Sequence, residues 1–313
     1  MLVFGKQLAP GQPTLIIAEA GVNHNGDLDL ARQLINVAAD AGADLVKFQT
    51  FKADRLATNT AKKADYQTQT TDSKESQHEM LRRLELTEAM HHGLITHCEM
   101  RNIGFLSTGF DIESVDLLMS LGHECFKIPS GEITNFPLLR HVAGKGKPMV
   151  VSTGMSYLSE VEAAVQTIEK AGNREFVLLH CVSNYPAKAG DINLNAMGTM
   201  DAAFGVPVGY SDHTVGIEVP IAAVALGATV IEKHLTLDRI LEIEDYVSGI
   251  APDQFQEFVV LIRRYHTALG TESLELSELE NEYRNKATKS VIALKDLEKG
   301  QIIQIGDVAL KRA

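Results

Sequence analysis

Lys47 and Lys127 each lie inside a short apolar run, LVKFQT at 45–50 and FKIPSGE at 126–132, with hydroxyl-bearing residues nearby. A lone lysine in such a run usually serves as a structural ion-pair partner. Two of them beside hydroxyl donors are different, because two desolvated ammonium groups are costly without an anion. A phosphate or carboxylate ligand is the natural occupant. Further polar residues end other apolar runs: Glu19, Thr108, Ser152, Ser183, Tyr185 and Ser211. Ser130 and Glu132 follow Lys127, and Gln49 shares a strand face with Lys47.

His213 and His234 close two successive late runs. Each alone could be a satisfied core histidine. As a pair at adjacent strand ends they suit a divalent metal, with positions left for water and substrate oxygens. Glu232 shares the face of His234 and would be either a third ligand or a group that orients one. Lys233 faces the other way and reads as structural. His24, His97 and His180 are weaker candidates, and His91-His92 reads as solvated helix surface.

Elements at regular spacing must bring these residues together. Eight apolar runs, Thr14–Gly21, Leu45–Thr50, Gly104–Phe110, Cys125–Gly131, Pro148–Gly154, Phe176–Val182, Val206–His213 and Thr229–Thr236, lack polar alternation. That suits parallel strands covered on both sides. Amphipathic segments separate them. Asp27–Asp40 opens on an acidic cap candidate, and Ser159–Ala171 and Pro252–Leu269 read the same way. The pattern predicts an α/β fold, a (β/α)8 (TIM) barrel over residues 1–282, whose catalytic face lies at the C-terminal strand ends. The first strand is followed by Ala20-Gly21-Val22-Asn23-His24-Asn25-Gly26, without the glycine spacing of a dinucleotide site. Residues 51–76 form a long polar connection of the kind kept for functional loops. Residues 283–313 turn to short β-like runs and read as the start of a small separate β-rich module, cut short.

The 313-residue chain carries a net charge of −12, with 45% hydrophobic and 22% charged residues. It shows no basic stripe, which argues against nucleic acid, and an anionic substrate would depend on local groups. Three cysteines, Cys98, Cys125 and Cys181, show no framework spacing and read as reduced thiols. No signal peptide or membrane span is expected, so a cytoplasmic location is.

The motifs IAEAGVNHNGD (17–27), LVKFQT (45–50), STGFD (107–111), FKIPSGE (126–132), VSTGM (151–155), HCVSNYP (180–186), GYSDHT (209–214) and IEKHLTLDR (231–239) together resemble the sialic acid synthases, in order and across nearly the whole barrel. That family includes N-acetylneuraminate, 9-phosphate, legionaminate and pseudaminate synthases. The resemblance implies condensation of phosphoenolpyruvate with an open-chain N-acetylated hexose, giving a nine-carbon sugar acid and phosphate. It implies that Lys47, Thr108, Lys127, Ser130, Ser152, Ser183 and Ser211 hold phosphoenolpyruvate, and that His213 and His234 hold Mn²⁺ or Mg²⁺. Glu19, Gln49, Tyr185 and Asp245 would line the sugar site, and Glu132 would handle protons. With Lys47, Lys127 and Glu19 it completes the catalytic candidates. The C-terminal segment resembles the start of an antifreeze-like (SAF) module, which in that family caps a partner's site across a homodimer; Arg312 matches its sugar-contacting arginine. The chain departs from the family at Gly109, where proline is usual, and at Ile243-Glu244-Asp245-Tyr246, which leaves the acceptor open. The rival readings are a Schiff-base aldolase using Lys47, Lys127 or Lys233, a phosphoenolpyruvate synthase for another aldose, and an inactive sugar-binding or scaffolding barrel.

Overall fold

Branched and aromatic runs flanked by amphipathic segments give barrel strands that are buried along most of their length. A computed structural model describes residues 1–63, 75–238, 248–271 and 273–312. A short antiparallel hairpin comes first, β1 (Leu2–Val3) with β2 (Lys6–Gln7). The barrel strands are β3 (Leu15–Gly21), β4 (Leu45–Thr50), β5 (Gly104–Gly109), β6 (Phe126–Ile128), β7 (Met149–Ser152), β8 (Phe176–Cys181), β9 (Val208–Asp212) and β10 (Val230–His234). They close into one barrel in sequence order, β10 pairing with β3. The expected (β/α)8 barrel is therefore present, and each expected run contains its strand, trimmed by a few residues at some ends.

Helix ends follow local chemistry. In the helix Leu28–Ala41 the Asp27 carboxylate accepts from the amides of Asp29 and Leu30, and Gly42 (φ 83°) ends the helix in a left-handed conformation that glycine adopts without strain. The helix Pro252–Leu269 starts on proline, whose missing N–H costs nothing in a first turn. The face of Leu28–Ala41 that carries Ala31, Leu34, Ile35 and Ala38 packs with Ile16, Ala18, Val46 and Phe48 on the outward faces of β3 and β4.

The inward faces divide the barrel interior by chemistry. Leu15, Ile17, Leu45, Leu106, Cys125, Val150, Val177, Leu179 and Val230 form an apolar plug, completed by Val3 and Leu8 at the N-terminal hairpin. One pleat further along six of these strands, on the same face, stand polar groups: Glu19, Lys47, Thr108, Lys127, Ser152 and Glu232. The plug supplies rigidity, and the layer above it supplies chemistry.

The chain divides into two compact units, Met1–Gly270 and Thr271–Ala313. Within the second, the helix Glu278–Ala287 is capped reciprocally by Ser277 and Glu280, and β11 (Ser290–Ala293) pairs antiparallel with β12 (Val308–Lys311). The helix covers residues that the amino-acid pattern divides between barrel and β-rich segment. Arg312 Nε donates to the Ala287 carbonyl at 3.2 Å inside this unit. Part of the long connection after β4, residues 64–74, lies outside the described residues, as do Asp245 and the divergent stretch around it. All three cysteines are free and buried. Among the described residues no helix is long and apolar enough to cross a membrane.

One surface assignment is overturned. His91 is fully buried; its Nδ1 donates to the Thr87 carbonyl at 2.8 Å, and its Nε2 lies 2.7 Å from Thr50 Oγ1. The helix Glu88–Met100 presents one face to the barrel wall, and His91 stands on that face while His92 faces out.

Candidate active site at the C-terminal mouth of the barrel

A cavity of about 280 Å³ opens at the C-terminal ends of the strands, with Glu19, Lys47, Gln49, Thr108, Lys127, Ser130, Ser152, Ser183, Tyr185, Ser211, His213, Glu232 and His234 in its wall. Parallel register brings these distant residues level: Glu19 pairs with Lys47, Gln49 with Thr108, Thr108 with Lys127, Ser211 with Glu232, and His234 with Glu19. Phe110, Pro129, Gly131, Met155 and Cys181 complete the wall. A larger hollow of about 680 Å³ lies alongside, sharing Met155 and Cys181, but it lacks the charged groups.

The charges form an alternating quartet. Lys127 Nζ lies 2.9 Å from each carboxylate oxygen of Glu232. Lys47 Nζ lies 2.5 Å from Glu19 and 3.6 Å from Glu232, and donates to Thr108 Oγ1 at 3.2 Å. Ser211 Oγ donates to Glu232 Oε1 at 2.9 Å. Burial works to raise the Glu232 carboxyl, but Lys127 and Lys47 overcome it and hold it well below the usual carboxylate range. Burial dominates at Glu19 and pushes it up to about 7 against the pull of Lys47, with the charge of Glu232 adding to the rise. Two buried lysines demanded an anion; the protein itself provides two carboxylates. Glu232 is therefore a counter-ion to the lysines.

A hydroxyl arc faces the lysines. Gly154 N–H donates to Ser130 Oγ at 2.9 Å, and Ser152 Oγ is buried with no hydrogen-bond partner among the described residues. A Cβ on Gly154 would press on Ser183 Oγ and stand 2.8 Å from Ser130 Oγ, so any larger residue there would force these two hydroxyls to shift. This role was missed from the sequence, although VSTGM contained the residue. Hydroxyls and two ammonium groups around one small hollow suit a phosphorylated carboxylic acid.

The two histidines lie together, ring centroids 5.3 Å apart, with Tyr185 4.3 Å from His213 and edge-on to His234. His213 Nδ1 donates to the Val182 carbonyl at 2.7 Å, which orients the ring and leaves Nε2 as its remaining nitrogen. Burial, then His213 and Lys47, drive the pKa of His234 well below its ordinary value, so it is neutral, and its buried Nδ1 has no hydrogen-bond partner among the described residues. Oriented imidazoles with an orphaned ring nitrogen fit a divalent ion. Among the described residues no cluster of three or more His, Cys, Asp or Glu side chains has metal-cage geometry.

One predicted site residue of the barrel stands outside the cavity wall. Glu132 does not line the cavity; it lies in the turn Ser130–Glu132 after β6, and its Oε2 accepts from Asn135 at 2.7 Å. Arg312 belongs to the second unit, and Asp245 falls outside the described residues. Lys233 faces away from the cavity and is fully buried in an ion pair with Asp212, consistent with its structural reading.

The NeuB family profile matches residues 34–273. The N,N'-diacetyllegionaminic acid synthase of Campylobacter jejuni is 49% identical over 301 residues, covering 96% of this chain and 90% of that protein. The human N-acetylneuraminate-9-phosphate synthase is 35% identical, over 97% of this chain and 86% of that one. A crystal structure of the N-acetylneuraminic acid synthetase from Leptospira borgpetersenii, in complex with citrate, superposes with a TM-score of 0.77 at 37% identity, covering 88% of this chain and 93% of that one. A match over most of the barrel, joined to relatives of this identity along nearly their whole length, places the chain in the NeuB family.

Proposed function

We propose that this protein condenses phosphoenolpyruvate with an open-chain N-acetylated amino sugar, giving a nine-carbon 2-keto-3-deoxy sugar acid and inorganic phosphate. The observation that carries the reading is the Lys47–Lys127 pair facing Ser130, Ser152 and Ser183 across one small cavity, in a chain whose relatives are sialic-acid-type synthases.

Carbon 3 of phosphoenolpyruvate attacks the sugar aldehyde carbon, and positive character builds at carbon 2. Water adds to carbon 2 and loses a proton. The tetrahedral intermediate then expels phosphate as its carbon–oxygen bond breaks. Lys47 and Lys127 stabilise the substrate anion and the departing phosphate, and the serine arc orients it. Glu19 lines the cavity beside Lys47 and is better placed than Glu132 to exchange a proton with the reactants. Gln49 and Tyr185, on the same wall, would hold the sugar hydroxyls. A divalent ion, Mn²⁺ or Mg²⁺, held by His213 and His234 would supply Lewis acidity toward the aldehyde oxygen.

The second unit is read as part of an antifreeze-like module that serves a partner subunit in a homodimer, with Arg312 directed at the N-acetyl group. Its support is the resemblance of the sequence after residue 286 to that module. A cytoplasmic location is part of the same reading.

The test is phosphate release from phosphoenolpyruvate against a panel of N-acetylated hexoses and 2,4-diacetamido sugars, run with Mn²⁺ and with excess EDTA. Turnover with at least one such sugar, abolished by EDTA, is expected. Release only with an unacetylated pentose or tetrose would overturn the substrate reading. Full activity in EDTA, or covalent trapping by borohydride, would overturn the metal reading.

A further inference from the structure

On the outward faces of β9 and β10, behind the cavity wall, Asp212 and Lys233 are register partners, and both side chains are 0% exposed. Lys233 Nζ donates to Asp212 Oδ2 at 2.6 Å and to the Thr214 carbonyl at 2.5 Å. Asp212 Oδ1 accepts from three donors: Tyr210 OH at 2.9 Å, Thr214 N–H at 3.0 Å and Thr214 Oγ1–H at 2.8 Å. Tyr210 belongs to the apolar layer that also holds Ala223, Phe255 and Phe258. None of these four polar residues lines the cavity.

A buried ion pair rarely stabilises a fold more than a well-packed apolar pair would, because desolvation offsets the attraction. Its presence here is explained by what it fixes. Asp212 precedes His213 and Thr214 follows it, and the pair grips Thr214 by its amide, hydroxyl and carbonyl. The carbonyl of His213 itself accepts from Ala187 N–H at 2.9 Å. Lys233 precedes His234. One sealed network thus pins the backbone beside both histidines, and on a strand the backbone sets where the inward side chain aims.

We infer that the Asp212–Lys233 pair, with Tyr210 and Thr214, is a positioning device that sets the spacing and aim of His213 and His234 toward a shared divalent ion. The inference rests on the metal reading given above. These are positioning residues, since none touches substrate or ion. Supporting partners of metal ligands typically govern affinity by about 10–100-fold.

The experiment titrates Mn²⁺ into the full chain, following free Mn²⁺ by electron paramagnetic resonance, for the native protein and for Lys233→Met, Thr214→Val and Thr214→Ser. Phosphoenolpyruvate affinity in EDTA is measured alongside. Lys233→Met is expected to weaken Mn²⁺ binding by about 10-fold or more. Thr214→Val is expected to weaken it in the same direction and Thr214→Ser to restore it, with phosphoenolpyruvate affinity in EDTA held throughout. Should Lys233→Met fail to fold, Thr214→Val carries the test, because it removes one hydroxyl and leaves the ion pair intact. Folded variants that bind Mn²⁺ as tightly as the native chain, or that lose phosphoenolpyruvate affinity in parallel, would reduce the network to general support and overturn the inference. A native chain that binds no Mn²⁺ would overturn the metal reading, and the inference with it.

Discussion

Both carboxylate oxygens of Glu232 lie 2.9 Å from the ammonium nitrogen of Lys127, a residue 105 positions away in the chain. Before any substrate binds, the strongest positive groups of the cavity are already neutralised by the protein. An incoming phosphate competes with Glu232 and Glu19 for Lys127 and Lys47, so the site is preorganised without holding two bare charges.

Lys127→Met should reveal both roles. Loss of a charge-assisted contact typically removes about 1.5–3 kcal/mol of substrate binding, roughly a 10- to 150-fold fall in phosphoenolpyruvate affinity. Stability should fall by about 3–5 kcal/mol, because Glu232 loses its nearest charged partner. Adding Glu232→Leu should recover much of the stability and none of the activity. Urea unfolding and phosphate-release kinetics on the same preparations separate the two; unchanged substrate affinity in the single variant would remove Lys127 from the anion site.

Gly154→Ala should open the hydroxyl arc. The new methyl would press against Ser183 and Ser130, and crowding of a packed site costs about 1–3 kcal/mol. The Michaelis constant for phosphoenolpyruvate should rise. Gly190→Ala is the control, since nothing stands within 4 Å of its new Cβ. Equal kinetics in the two variants would contradict the cradle.

The protein should lose stability in mild acid for a reason outside the active site. Burial, with a contribution from His91, holds His123 down at about 4, and its Nε2 accepts the Ser107 N–H at 3.0 Å, a bond the protonated ring cannot accept. Burial likewise holds His24 at about 4. In the unfolded chain both titrate near 6.5. Their folded values are depressed, so their contribution is complete above the unfolded value and is lost as pH falls from there toward 4. Each shift corresponds to roughly 3 kcal/mol over the full window. Urea midpoints at pH 7.5 and 5 measure the loss. His123→Gln keeps an acceptor for Ser107 without the titration and should flatten the profile; an unaltered slope would refute this origin.

If the second unit serves a partner's sugar site, sedimentation should show a dimer at micromolar concentration. Arg312→Ala should then raise the Michaelis constant for the acceptor and spare that for phosphoenolpyruvate. A monomer, or acceptor kinetics indifferent to Arg312, would refute the swapped arrangement.

The barrel was legible because each strand is a continuous apolar run whose covering helix has its own periodicity, and each run states its own identity. Leu45–Thr50 and the helix Pro252–Leu269 kept their predicted limits. The short hairpin at Leu2–Gln7 gave no such signal, since two-residue strands carry no period. His91 shows the same limit within a helix: its type suits water, and only the packing of Glu88–Met100 on the barrel wall decides that it is buried.

For the site, residue types and strand parity were enough to bring Lys47, Lys127, the serines, His213 and His234 to one end of the barrel. A strand repeats every two residues, so a polar residue one pleat beyond an apolar one must face the same interior. Which charge neutralises which was not written there. That Glu232 answers Lys127, that Glu132 turns to Asn135 instead of the cavity, and that Gly154 must be bare follow from register and from distances of a few ångströms between segments far apart in the chain. The amino-acid sequence by itself determined the barrel and the residue types at its mouth, because both are encoded locally. Only the tertiary structure decided the pairing of charges, because electrostatic partners are chosen by proximity in space, and the closing of the sheet is what creates that proximity.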